Sequence, residues 1–169
     1  ALRVHVAVAR VAEKACMRLH DLCAPDGSEQ AAAEAGVIEA VVVALRTHPQ
    51  VAGVQEQACR ALINVCDGDD AAGLARSQRA AEAGALEEVL VAMRAHPQVV
   101  LVQAKGCDAL LKVCGIGADA AARARRRRAT QAGGRVAAVA AMWAHPGEGE
   151  VYCRQVQRQG QLVLDVLPE

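Results

Sequence analysis

Aromatic side chains are almost missing: Trp143 and Tyr152 are the only ones among 169 residues, and there is no phenylalanine. Pockets for flat cofactors or sugars usually have aromatic walls, so this composition argues against an enzyme built around a deep ligand cavity. An excess of one charge is missing as well. Lys+Arg and Asp+Glu both number 19, which leaves no global field to steer the chain toward nucleic acid or acidic lipid. Apolar runs such as Val41-Val42-Val43-Ala44-Leu45 fall far short of the roughly 18–20 residues that span a bilayer. The opening Ala1-Leu2-Arg3-Val4-His5 has no charged segment followed by an apolar block, so it does not read as a secretory signal.

What is present is a small-residue interior. Hydrophobic residues make up 53% of the chain, too many for a disordered polymer. Ala, Val, Leu and Cys supply most of them, which suits helices that approach closely. Six of the seven cysteines fall in pairs: Cys16/Cys23, Cys59/Cys66 and Cys107/Cys114. Seven residues along a helix return to the same face about 10.5 Å further on, too far for a disulfide or a shared metal. They read as small core residues in a reducing, intracellular compartment.

The strongest signal is self-similarity. AEAGALEEVLVAMRAHPQVVLVQAKGCDALLKVC at 81–114 repeats AEAGVIEAVVVALRTHPQVAGVQEQACRALINVC at 33–66 without a gap, so Gly84, His96, Cys107 and Cys114 answer Gly36, His48, Cys59 and Cys66. A weaker copy runs from Thr130 through Trp143-Ala144-His145-Pro146, and after a small insertion Val156–Gly160 answers Val102–Gly106. The front of the chain, Val11 to Cys23, matches the last third of a copy, Val54 to Cys66.

Each full copy reads as three helices. In the first full copy, Ser28 is a plausible N-cap for a short helix that Gly36 closes. A second helix, about Val37 to Thr47, places Ile38, Val41, Val42 and Leu45 on one face. His48-Pro49 stops it, and Pro49 is suited to open the third helix, which buries Val54, Ala58, Ala61, Leu62 and Val65. Nothing alternates with period two, so the fold is expected to be all-α. The whole of 1–169 reads as one domain: a half repeat at 1–23 and repeats at 28–66, 72–114 and 118–167. Extra length falls in Asp67–Ser77 and Gly115–Arg128, between units, and Ala121–Ala129 within it reads as helical.

The stretch Gln55-Glu56-Gln57-Ala58-Cys59-Arg60-Ala61-Leu62-Ile63-Asn64-Val65 and the junction Glu34-Ala35-Gly36-Val37-Ile38 resemble the armadillo repeat, whose units are about 40 residues long. The resemblance covers nearly the whole chain and implies a right-handed α-solenoid of three-helix repeats. It also implies a non-enzymatic scaffold or adaptor that binds a partner segment on the concave face of its third helices. By the same resemblance, Asn64 matches an asparagine that holds a ligand's backbone. Asp21 and Lys112 occupy the corresponding places, and Met17, Arg60 and Asp108 stand where family tryptophans would be. The chain therefore departs from a nuclear-import-type grip on basic peptides. The candidate partner-binding face is Met17, Asp21, Glu56, Arg60, Asn64, Asp108 and Lys112, on the Glu13/Met17/Asp21, Glu56/Arg60/Asn64 and Ala104/Asp108/Lys112 stripes; the opposing reading is a solvated face of mixed charge.

Arg123, Arg125, Arg126, Arg127 and Arg128 form the one dense charge run, a candidate basic patch for phosphates or an acidic segment. Its plain alternative is a solvated helix with no offsetting acids nearby. His48, His96 and His145 recur before proline. Stacked helices lie about 8–10 Å apart and metal–nitrogen bonds are about 2 Å, so the three read as corner residues and no metal or cofactor is expected. Ser28, Thr47, Ser77 and Thr130 read as residues of helix ends and connectors. Proteins are the expected partners, with two other settings open: an architectural subunit locked in a large assembly, or a regulatory fragment of a multidomain protein. The leading third helix needs cover on its apolar side, so further repeats or a partner are expected over Val4, Val8, Val11 and Leu19.

Overall fold

A computed structural model describes residues 8–22, 28–115, 117–147 and 150–168. Val4, His5 and Cys23 lie outside the described residues, as do most of the first connector and Ile116. Among the described residues every regular element is an α-helix. In chain order they are α1 Ala9–Leu22, α2 Glu29–Glu34, α3 Val37–Thr47, α4 Ala52–Val65, α5 Ala71–Ala83, α6 Ala85–Ala95, α7 Val100–Cys114, α8 Ala120–Gln131, α9 Gly134–Ala144 and α10 Val151–Val166.

Packing follows the repeat. Helices α1, α4, α7 and α10 touch in series; so do α3, α6 and α9, and so do α2, α5 and α8. Ile38, Val41, Val42, Leu45, Val54, Ala58, Ala61, Leu62 and Val65 are all buried, because the 3.6-residue period places them on the inward faces. One core runs continuously from Ala12 to Leu167.

The junctions show how local chemistry shapes each unit. Gly36, Gly84 and Gly133 have φ of 78°, 95° and 93°, a left-handed turn that glycine enters without Cβ strain. At the other corner, His48 N donates to Ala44 O at 3.1 Å and Val51 N to His48 O at 3.1 Å. Pro49 therefore sits inside a reverse turn, where its fixed φ suits the second position. The third helix starts later, at Ala52, which corrects the expectation that Pro49 opens it.

One other expectation changes. Ser28 precedes α2 without capping it; its backbone is helical and its hydroxyl donates to Leu22 O. The extra length at 67–77 and 115–128 is largely helix, α5 beginning at Ala71 and α8 at Ala120. Asp70 Oδ1 accepts from Gly73 N at 2.8 Å and Asp119 Oδ1 from Ala122 N at 2.9 Å. Each carboxylate caps a helix of more than three turns. The bond from Ala122 N is the main reason the Asp119 carboxyl lies below its ordinary pKa.

Candidate functional site

The polar stripe on the row α1–α4–α7–α10 is stitched from helix to helix. Asn64 Nδ2 donates to His20 O at 2.9 Å and also faces His20 Nδ1 at 2.9 Å, tying α4 to the end of α1. Gln155 of α10 donates to Asp108 Oδ2 on α7 at 2.8 Å. Lys112 pairs with Asp67, beyond the end of α4. Arg60 lies 3.6 Å from Glu56 on its own helix. Met17 and Asp21 are exposed on α1. The Glu13 carboxyl leans over Gly53, so close that a Cβ there would stand 2.7 Å from it. Gly53 lies in the first turn of α4, the end of a helix that favours negative charge.

Asp67 and Asp108 are shifted in opposite directions. The side-chain bond from Lys112 holds Asp67 below the usual carboxylate range. Burial pushes Asp108 above it, outweighing Lys105 and Gln155.

The arginine run is taken apart by the fold. Arg125 is buried, with Nε donating to Val113 O at 2.8 Å and Nη1 to Gln78 Oε1 at 2.9 Å. Arg128 makes a two-pronged bond to Glu87 at 2.5 and 3.0 Å. Arg123 and Arg126 donate to Ala118 O and Gly117 O, and Arg127 is exposed. Neither a uniform basic patch nor a solvated helix without nearby acids describes these five residues. Glu87 lies far away in sequence, and local reading could not supply it. A cleft of about 270 Å³ separates Arg123, Arg126 and Arg127 from Asp165 and the turn at Leu167-Pro168.

The histidine series serves the corners. His96 Nε2 donates to Pro49 O at 2.8 Å and His145 Nε2 to Pro97 O at 2.9 Å, each reaching the corner of the preceding unit. Among the described residues no group of three or more His, Cys, Asp or Glu could hold a metal ion. No helix there is long and apolar enough to cross a membrane.

Sequence reading missed two repeated devices. Gln55, Gln103 and Gln157 each donate through Nε2 to two carbonyls at the end of the preceding helix: Leu45 and His48, Met93 and His96, Met142 and His145, at 2.7 to 3.1 Å. Gln55 and Gln103 both stand seven residues after the corner histidine, which was the available signal, whereas Gln157 stands twelve after His145. Arg76 is the counterpart of Arg125: its Nε donates to Val65 O at 2.7 Å, Nη1 to Gln30 Oε1 at 3.3 Å and Nη2 to Asp67 O at 2.5 Å. Ser77, expected at a helix end or in a connector, is buried within α5 and donates to Lys112 O at 3.2 Å.

A half-open cavity of about 520 Å³ lies between these joints, lined by Cys66, Leu74, Ser77, Leu111, Lys112 and Asp119 among others. Of these, Ser77, Lys112 and Asp119 are engaged in the bonds already described. Burial raises the Cys16, Cys59, Cys107 and Cys114 thiols to about 12, which keeps these sulfurs from acting as thiolate nucleophiles at neutral pH. No protein-family model, curated protein or solved structure matches the chain.

Proposed function

We propose that this chain is a non-enzymatic, protein-binding scaffold of the armadillo type. In this reading it is a right-handed solenoid that grips a partner segment along the concave side of its third helices. The observation that carries the reading is the single row α1–α4–α7–α10, with chemically varied side chains along one stripe and continuous apolar packing behind it. Bonds between adjacent helices hold that stripe in register, which lowers the ordering cost of binding. Asn64 acts mainly as a stitch to α1. Met17, Asp21 and Arg60 supply the contacts that a partner can reach. The raised thiols and engaged cavity residues support a binding role over a catalytic one.

A photo-crosslinking residue at position 17 or 60, in the full chain isolated with its native partners, tests this. Cross-links to one protein should form from both positions, and those from position 17 should diminish with Arg60→Glu while helicity is retained. Cross-links equally strong from Glu82, on α5 of another row, would overturn the assignment of the face. An adaptor should also leave the native particle as salt rises, whereas retention at fixed stoichiometry would favour the architectural setting.

A further inference from the structure

Second helices α3, α6 and α9 pack in one row, so the α3–α6 joint and the α6–α9 joint can be compared position by position. At the α3–α6 joint Arg46 pairs with Glu88 at 2.8 Å, and Val91 stands about one turn further along α6. At the α6–α9 joint Arg94 takes the place of Arg46, while Ala137 and Ala140 take the places of Glu88 and Val91. The arginine is kept, and the carboxylate and the branched side chain are gone. Among the described residues Arg94 is left with one bond, from Nη1 to Ala132 O at 3.3 Å. A half-open cavity of about 200 Å³ lies at this joint, walled by Met93, Arg94, Pro97, Ala137, Ala140 and Ala141. Gln103 also reaches it, with its amide nitrogen committed to the Met93 and His96 carbonyls. Arg94 is the one charged residue on these walls.

We infer that this cavity binds a short branched aliphatic carboxylate, taken up as a free small molecule. The head group follows from the α3–α6 joint, where the guanidinium at this place meets a carboxylate. A bound anion restores the pair that Ala137 removes, through charge-assisted N–H···O bonds of the fork that arginine offers. The tail follows from what else is missing. Ala137 lacks the outer chain of Glu88, and Ala140 lacks the two methyl groups of Val91, on adjacent turns of one helix face. An acidic side chain of another protein would bring its carboxylate and two methylenes at most, leaving the place of Val91 unfilled. A branched acid of about six carbons fills both places, and each carbon buried against Met93, Pro97 and Ala141 adds to binding.

Titration of the full chain with 4-methylpentanoate at neutral pH, followed by NMR of its isotope-labelled methionine methyl groups, tests the assignment. The Met93 signal should shift and saturate with a Kd in the ~millimolar range that so few atoms allow. Met17, on α1, should stay still. 4-Methylpentanamide carries the tail without the charge, and acetate the charge without the tail; each should bind at least ~tenfold more weakly. Arg94→Gln, which changes an exposed side chain, should weaken binding by a similar factor. So should Ala137→Glu, which restores the residue type of the α3–α6 joint and supplies the carboxylate from within. Far-UV circular dichroism of both variants should match the parent. A Met93 signal that does not saturate would overturn the inference, as would equal binding of acid and amide, or binding unchanged by Arg94→Gln. A blocked glutamate peptide that binds as tightly as 4-methylpentanoate would assign the place to another protein's acidic side chain and overturn it too.

Discussion

The joint between α4 and α5 and the joint between α7 and α8 use one device with different completeness. Arg76 closes the first with three bonds, to Val65 O, Gln30 Oε1 and Asp67 O. Arg125 closes the second with two, and its Nη2, beside Gly115, is buried without a partner among the described residues. Lys112 also pairs with Asp67 at the first joint. The same buried guanidinium is therefore better satisfied where the flanking loop folds a carbonyl back onto it. A repeated sequence does not guarantee equal stability at every joint, because loops outside the best-matched stretch complete the bonds.

The largest effect should come from removing the clamps. Arg76→Met strands three acceptors, two of them backbone carbonyls, and should lower stability by roughly 2–3 kcal/mol in urea unfolding. Arg125→Met should cost less, by about 1 kcal/mol for the bond it never made. Equal losses would mean that loop completion does not distinguish the joints. Next in size is Gln103→Leu, which takes the side-chain donor from the Met93 carbonyl and leaves His96 O only its turn bond from Val99 N, and should cost about 1–3 kcal/mol. Gln55→Leu should match it, since both side chains make the same pair of bonds in a buried setting.

Acid titration sharpens the comparison through two aspartates. Asp67 titrates below its ordinary 3.8 in the folded state, so the unfolded chain binds its proton first. The stability it contributes is present above that ordinary value and is lost as pH falls through the folded pKa. Asp108 is shifted above 3.8 by burial, so the folded state holds the proton more tightly. Stability falls as pH rises from 3.8 through the raised value. Asp108→Asn should remove that decline and Asp67→Asn the acid-side loss, each visible in melting temperature against pH; the reverse assignment would contradict the geometry. The smallest effect belongs to the outward clasps. Glu87→Gln should cost only about 0.2–1 kcal/mol, because Arg128 and Glu87 are 44% and 39% exposed and solvent screens them.

Much of the architecture was legible in advance. Helical spacing of Ile38, Val41, Val42 and Leu45 reports the inward face directly, and Gly36 and His48-Pro49 mark corners by local backbone chemistry. The candidate stripe was legible only as positions on helices. That Asn64 is held by His20, 44 residues away, leaves no trace in the periodicity of either helix. The arginine run misled for the same reason. Adjacent residues on α8 point in different directions, so one is buried, one clasps Glu87 and one is exposed.

By itself, then, the chain's order of residues determined an all-helical fold, the repeated unit and where each unit turns, because these depend on interactions within a few residues. Tertiary structure alone decided which polar groups are engaged and which face outward. Those outcomes depend on side chains brought together from neighbouring units some forty residues apart.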